Sequence, residues 1–203
     1  MTTDAPAGLS GVVLCGGHSR RMGRNKAVLT LQGQRLIAHV LDRLDPLCDE
    51  LIVAANDVGD YADLPARVVP DVLPVSGPLS GIHAGLSSMR NELGIVVACD
   101  MPFLNHALLR FMAVVAPGYD VVVPHIQGEY EPLHAVYRRT CIAPIERLLA
   151  QGPRRVVALF PLVRVREVTQ EEVALFDAEN SFFNVNTPED WAEAQRLSRR
   201  RRR

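Results

Sequence analysis

The chain is short of net charge, of cysteine and of long apolar runs, and each shortage removes a class of function. Its 203 residues carry a net charge of -1, so nothing in the overall balance favours a nucleic acid or a membrane as partner. The four cysteines, Cys15, Cys48, Cys99 and Cys141, lie far apart, with no CxxC pair and no histidine at zinc-finger spacing. Cys15 and Cys99 each end an apolar run, where a small buried thiol fits. No stretch approaches the roughly 20 apolar residues of a membrane-spanning helix. The opening MTTDAPAGLS has neither the basic region nor the apolar stretch of a secretory signal. A cytoplasmic protein is the expectation. There is no internal repeat and no Gly/Ser-rich linker, so residues 1–203 read as a single domain. Residues 1–8 and 198–203 are expected to be disordered tails. The five arginines after Ser198 fit a solvated terminus better than a nucleic-acid arm.

What the chain does have is core. Hydrophobic residues make up 48%, enough for a substantial interior. The apolar runs GVVLC (11–15), LIVAA (51–55), RVV (67–69), IVVAC (95–99) and DVVVP (120–124) are short and nearly uniform rather than alternating. Strands covered on both faces look like this. Helical stretches lie between them. RLIAHVLDRLD puts Leu36, Val40, Leu41 and Leu44 on one face, and GPLSGIHAGLSSMRN and NHALLRFMAVV read alike. Farther on, EPLHAVYRR (131–139) and LVRVREV (162–168) suit strands, and TCIAPIERLLAQG suits a helix ending near Gly152. TPEDWAEAQRL suits a last helix, with Thr187 as cap and Pro188 at its first position. Alternating strands and helices imply an α/β, Rossmann-like α/β/α sandwich with a mostly parallel sheet.

The first run leads into GGHSRRMGRNK. A glycine pair after a buried strand lets the backbone turn sharply and present N–H groups to an anion. Arg20, Arg21, Arg24 and Lys26 add positive charge in the same loop. The loop is neither a Walker loop nor a G-x-G-x-x-G fingerprint. On spacing alone, a triphosphate grip and a basic surface loop stand level.

LCGGHSRRMGRNK resembles the LAGG-x-S-x-RMG-x-D-K loop of the MobA-like nucleotidyltransferases. GPLSGIHAGL (77–86), VVACDMPFL (96–104) and FFNVNTPED (182–190) resemble that family's GPLAGI-x-AGL, V-x-CDMPFL and F-x-N-x-NTPEDL. The similarity runs from the first strand to the last helix and implies a nucleotidyltransferase-type fold. It implies transfer of GMP from GTP to the terminal phosphate of molybdopterin, giving a guanine dinucleotide and pyrophosphate. Transfer of CMP to molybdopterin, or nucleotidyl transfer to another phosphorylated small molecule, is an alternative within the same chemistry. A non-catalytic nucleotide-binding protein that docks a partner is an alternative outside it.

The resemblance also assigns residues. Leu14, Cys15, Gly16, Gly17, Arg21, Lys26, Asn56, Asp71 and Asp100 would bind GTP. Asp100, at the carboxyl end of IVVAC, would hold Mg2+. Arg21 and Lys26 would act with it by neutralising the triphosphate. Asn56 and Asp71 would contact the guanine nucleotide. Gly77, Gly81, Asn184 and Asn186 would lie on the acceptor side, although the two glycines suit close helix packing equally well. Cys15-Gly16-Gly17, where cytidylyl relatives tend to carry Ala-Ala-Gly, favours guanine. The pathway implies transient contact with molybdenum-inserting and molybdoenzyme-maturation proteins, and a monomer is expected. Two departures stand out. Asn25 replaces the aspartate usual before the lysine. EPLHAVYRR differs from the usual P-x-F-A-L form, and its His134 reads as a packed or wall residue rather than a catalytic one.

Overall fold

A computed structural model describes residues 8–16, 29–71, 77–152 and 155–200. Strand β1 (Leu9–Leu14) lies in the interior of the sheet. It is buried over its whole length, and both Val12 and Val13 are fully shielded. Side chains alternate across a strand, so both faces must be covered. That is the physical basis of the uniform apolar run. It pairs in parallel with β4 (Glu50–Ala54) on one side and β6 (Leu93–Ala98) on the other. Beyond β4 lies β5 (Arg67–Val69), also parallel. Beyond β6 lies β9 (His134–Arg138), which is antiparallel to β6 and to β7 (Val121–Ile126). The sheet ends at β10 (Val165–Thr169), parallel to β7, and β8 (Glu129–Tyr130) forms a short hairpin with β7.

The two faces carry separate cores. On one, α1 (Leu36–Leu44) and α3 (His106–Val114) cover Val13, Val53, Ile95 and Val97. On the other, α2 (Pro78–Ser88) and α4 (Ile142–Leu149) cover Val12, Leu14, Ile52 and Val96. The expected α/β/α sandwich is therefore the fold. Helix α2 sits very close to β1, because a Cβ added at Gly85 would fall 2.3 Å from a methyl of Val12. A third, smaller core joins the hairpin β2 (Thr30–Leu31) and β3 (Gln34–Arg35) to α6 (Pro188–Arg200) through Leu31, Leu36, Phe103, Val185 and Ala194. Helix α5 (Gln170–Ala174) starts on a capping box formed by Thr169 and Glu172.

One expectation needs correction. A C-terminal tail is expected from Ser198 onward, but α6 continues to Arg200 and Ser198 is buried. Exposed Arg199 continues the polar side of an amphipathic helix. Residues 1–7 and 201–203 of the expected tails lie outside the described residues.

Candidate functional site

Strands β5, β4, β1 and β6 run in one direction and end at one edge of the sheet. From β1 the chain proceeds to β4 on one side and later to β6 on the other. This reversal leaves a crevice at the carboxyl ends, where open α/β sheets receive ligands. Three backbone bonds carry the ladder past the strand ends and hold the rim. Cys15 N–H donates to the Ala54 carbonyl at 2.8 Å, Ala55 N–H to that of Val69 at 2.9 Å, and Cys99 N–H to that of Leu14 at 3.1 Å.

A cavity of about 430 Å³ opens there, lined among others by Leu14, Cys15, Gly16, Asn56, Asp71, Gly77, Gly81, Asp100, Asn184 and Asn186. Segments from across the sequence thus meet in one pocket. Gly17, Arg21 and Lys26 lie outside the described residues, as do Arg20, Arg24 and Asn25. The described residues on either side of them are exposed Gly16 at the rim and Leu29, whose carbonyl accepts from Leu36 N–H at 2.8 Å. Ala54, Ala55, Pro78, Ala98, Cys99 and Leu133 also line the pocket and are not singled out by the sequence. Cys99 could have been, because it directly precedes Asp100. The others are small or apolar and carry no chemical signal.

Asn56 and Asp71 hold each other across the ends of β4 and β5. The Asn56 amide donates to Asp71 Oδ2 at 3.2 Å, and Asp71 N–H donates to Asn56 Oδ1 at 2.9 Å. This two-way bond fixes both groups as one polar edge. It explains Asn56 better than a local Asx turn, since the amide is committed to a residue 15 positions away. The amino end of α2 also borders the cavity, through Gly77, Pro78 and Gly81. Gly77 has φ of 139°, a conformation that disfavours a side chain. Gly81 packs against Leu14, to whose methyl an added Cβ would come within 3.3 Å. The two glycines therefore have structural reasons as well as places in the pocket. The first turn of α2 directs its partial positive charge toward the cavity.

Asp100 lies half-buried in the turn after β6, and its carbonyl accepts from Val185 N–H at 3.0 Å. That bond draws the segment bearing Asn184 and Asn186 over the pocket. The Asn184 amide donates to the Phe182 carbonyl at 3.0 Å. Thr187 caps α6 as expected: its hydroxyl accepts from Asp190 N–H at 3.1 Å, and Asp190 Oδ2 accepts from Thr187 N–H at 2.8 Å. Asp190 Oδ2 also takes the Asn186 N–H at 2.9 Å, which anchors that residue's backbone.

Among the described lining residues the charged side chains are two carboxylates, Asp71 and Asp100. A polyphosphate entering such a pocket needs cations from elsewhere. No group of three or more His, Cys, Asp or Glu side chains forms a metal cage among the described residues. A hard divalent ion of the magnesium type needs none, because one or two carboxylates with phosphate oxygens and water satisfy it. The donor set therefore fits such an ion. Cys15 does not compete for it as a thiolate: burial, with Cys99 beside it, pushes its thiol far above the ordinary range.

His134 is expected to be packed, and it is fully buried. Burial in apolar surroundings lowers its pKa to about 4, so it is a neutral imidazole near pH ~7. It also has a partner that the sequence conceals, since Nε2 lies 2.7 Å from Ser181 Oγ.

The sequence model of the MobA-like NTP transferase domain matches residues 11–168. A protein of Pelotomaculum thermopropionicum named "Probable molybdenum cofactor guanylyltransferase" is 43% identical over 187 residues, 92% of this chain and 91% of that protein. The molybdenum cofactor guanylyltransferase of Desulfosudis oleivorans is 38% identical, over 92% of this chain and 94% of its own. Among solved structures, molybdopterin-guanine dinucleotide biosynthesis protein A of Archaeoglobus fulgidus superposes with a TM-score of 0.83 at 30% identity. That match covers 94% of this chain and 99% of the other. No described helix is long and apolar enough to cross a membrane.

Proposed function

We propose, from the premise that the chain belongs to the MobA-like NTP transferase family, that it is a molybdenum cofactor guanylyltransferase. It transfers GMP from GTP to the terminal phosphate of molybdopterin. The observation that carries this reading is one cavity lined by Leu14, Cys15, Gly16, Asn56, Asp71, Asp100, Asn184 and Asn186. A pyrophosphate-releasing transfer needs a base edge reader, a metal carboxylate and an acceptor wall within one ligand length. The names of the relatives supply the substrates.

In the reaction, an oxygen of the acceptor phosphate attacks the α-phosphorus of GTP. The new P–O bond forms as the bond to the β-phosphate bridge breaks, and pyrophosphate leaves with that electron pair. A phosphate monoester has a second pKa of about 6, so the nucleophile is ionised near neutrality and no general base is required. The work left to the protein is to hold two anions in line. Asn56 and Asp71 hold the guanine, with the carboxylate accepting from its N–H groups. Arg21 and Lys26 offset the charge of the triphosphate and of departing pyrophosphate. Gly17 belongs with Leu14, Cys15 and Gly16 to the GTP-binding set. Asp100 would hold Mg2+, and the ion would supply positive charge at the phosphates. On the acceptor side, Asn184, Asn186 and the α2 amino end with Gly77 and Gly81 receive the pterin phosphate. On this reading the enzyme works in the cytoplasm as a monomer. It passes its product by transient contact to molybdenum-inserting and molybdoenzyme-maturation proteins.

A nucleotide panel tests the proposal. Pyrophosphate release should require molybdopterin, a divalent cation and GTP. Release with CTP and not with GTP would overturn the guanine assignment, and binding of GTP without any release would favour a non-catalytic role.

A further inference from the structure

The segment 179–186 enters the site held at Ser181 and Val185, and its end at Asn186 is tied to Asp190. The later point is Val185, fully buried, whose N–H donates to the Asp100 carbonyl at 3.0 Å. The earlier point is Ser181, 1% exposed, whose hydroxyl oxygen accepts from Asn105 N–H at 2.8 Å and lies 2.7 Å from His134 Nε2. Asn105 is itself locked as the cap of α3. Its Oδ1 takes Leu108 N–H at 3.0 Å, and its amide donates to the Phe176 carbonyl at 2.9 Å. His134 is held by the sheet, as the first residue of β9 and the partner of Val97 in β6. The Phe182 ring lies against the His134 ring, with centroids 4.6 Å apart. A neutral imidazole carries one ring proton. His134 Nδ1 is buried with no hydrogen-bond partner among the described residues. A proton on Nε2 therefore donates to Ser181 and leaves an unpaired acceptor at Nδ1, whereas the other tautomer would strand a buried donor. Strand β9 thus reaches this strap through the His134 ring, at Ser181.

We infer that His134 is a positioning residue for the acceptor: by holding Ser181 it fixes the strap that presents Asn184 and Asn186 to the pocket. This rests on the reading of those asparagines as acceptor contacts. His134 touches no substrate and does not line the cavity, although its neighbour Leu133 does. Of the residues read as holding GTP, Asn56 and Asp71 lie out of its reach, because they belong to the ends of β4 and β5, beyond β1 from it.

The test uses the full chain with His134→Phe, which keeps a ring against Phe182 and is the residue of the usual P-x-F-A-L form. His134→Gln restores a donor near the Nε2 position. His134→Phe should raise KM for molybdopterin about tenfold, since small misplacements of positioning groups are costly. KM for GTP should move less than about twofold. Amide exchange at Val185 should accelerate about tenfold as the strap loosens, and His134→Gln should reverse most of both effects. Equal loss toward both substrates, or a lowered Tm with both KM values intact, would reduce His134 to a structural residue and overturn the proposal. So would unchanged exchange at Val185. Asn184→Ala and Asn186→Ala separate the two claims. If neither variant moves the acceptor KM, the asparagine reading fails, and with it the acceptor role of His134, even if exchange at Val185 shows the strap to be anchored.

Discussion

Acidification should destabilise this protein through His134, and the size of the effect follows from its burial. The imidazole is completely enclosed, and burial lowers its pKa to about 4, against about 6.5 in an unfolded chain. As pH falls through that window, the unfolded chain takes up a proton that the folded protein refuses. Stability is therefore intact above the unfolded pKa and is lost progressively as pH drops toward the folded one. The two values give a loss of about 2 kcal/mol between pH ~7 and pH ~5, and about 3 kcal/mol by pH ~4. Other groups also titrate here, so the variant His134→Phe is the reference. Urea unfolding of both proteins at the two higher pH values measures the difference. The native chain should lose about 2 kcal/mol more than the variant. Identical losses would mean that the buried imidazole accepts a proton without cost, and the reasoning from burial would fail.

Three further outcomes follow from other positions. Gly85→Ala should destabilise the fold: its Cβ would lie 2.3 Å from a methyl of fully buried Val12, and overpacking of about 1–3 kcal/mol exceeds the helix gain of alanine. Thermal unfolding should show Tm lowered by about 2–4 °C for each net kcal/mol. Asp71→Asn should weaken GTP binding about tenfold, while binding of inosine triphosphate, which lacks the guanine amino group, should change less. Titration calorimetry reads both, and equal losses would remove Asp71 from the base edge. Asp100→Asn should lower kcat at least about a hundredfold at saturating Mg2+, with an unchanged circular dichroism spectrum. Full turnover would exclude Asp100 as the metal carboxylate.

Much of the fold was legible because buried parallel strands leave uniform apolar runs. Val12 and Val13 both had to be apolar, and the run around them reads as a strand for that reason. The direction of β9 was not legible. Its residues would look the same in either orientation, and only its pairing with β6 and β7 makes it antiparallel. The register that sets Leu93 opposite Arg138 and Ile95 opposite Val136 is a fact of three dimensions. The hairpin β2–β3 was missed because each strand has two residues and no apolar pattern; its turn at Gln32 and Gly33, both with positive φ, is the feature that makes it.

The lining of the cavity was legible where a polar side chain sits at a strand end, as at Asn56, Asp71 and Asp100. It was not legible where contact spans the chain. Ser181 and His134 are 47 positions apart, and neither carries a local sign of the other. Leu133, Ala55 and Pro78 line the pocket through shape alone. The arginine run misled for a different reason. Its charge suggests a solvated tail, while the burial of Ser198 keeps the start of the run on a packed helix.

The central claim is that the cavity at the carboxyl ends of β1, β4, β5 and β6 joins GMP to a phosphorylated pterin. Mass spectrometry of the product tests it most directly. With GTP, Mg2+ and molybdopterin, the native chain should convert the acceptor into a species heavier by one GMP unit, with one pyrophosphate released for each, and Asp100→Asn should form almost none. An acceptor of unchanged mass, or the same yield from the Asp100 variant, would contradict the account.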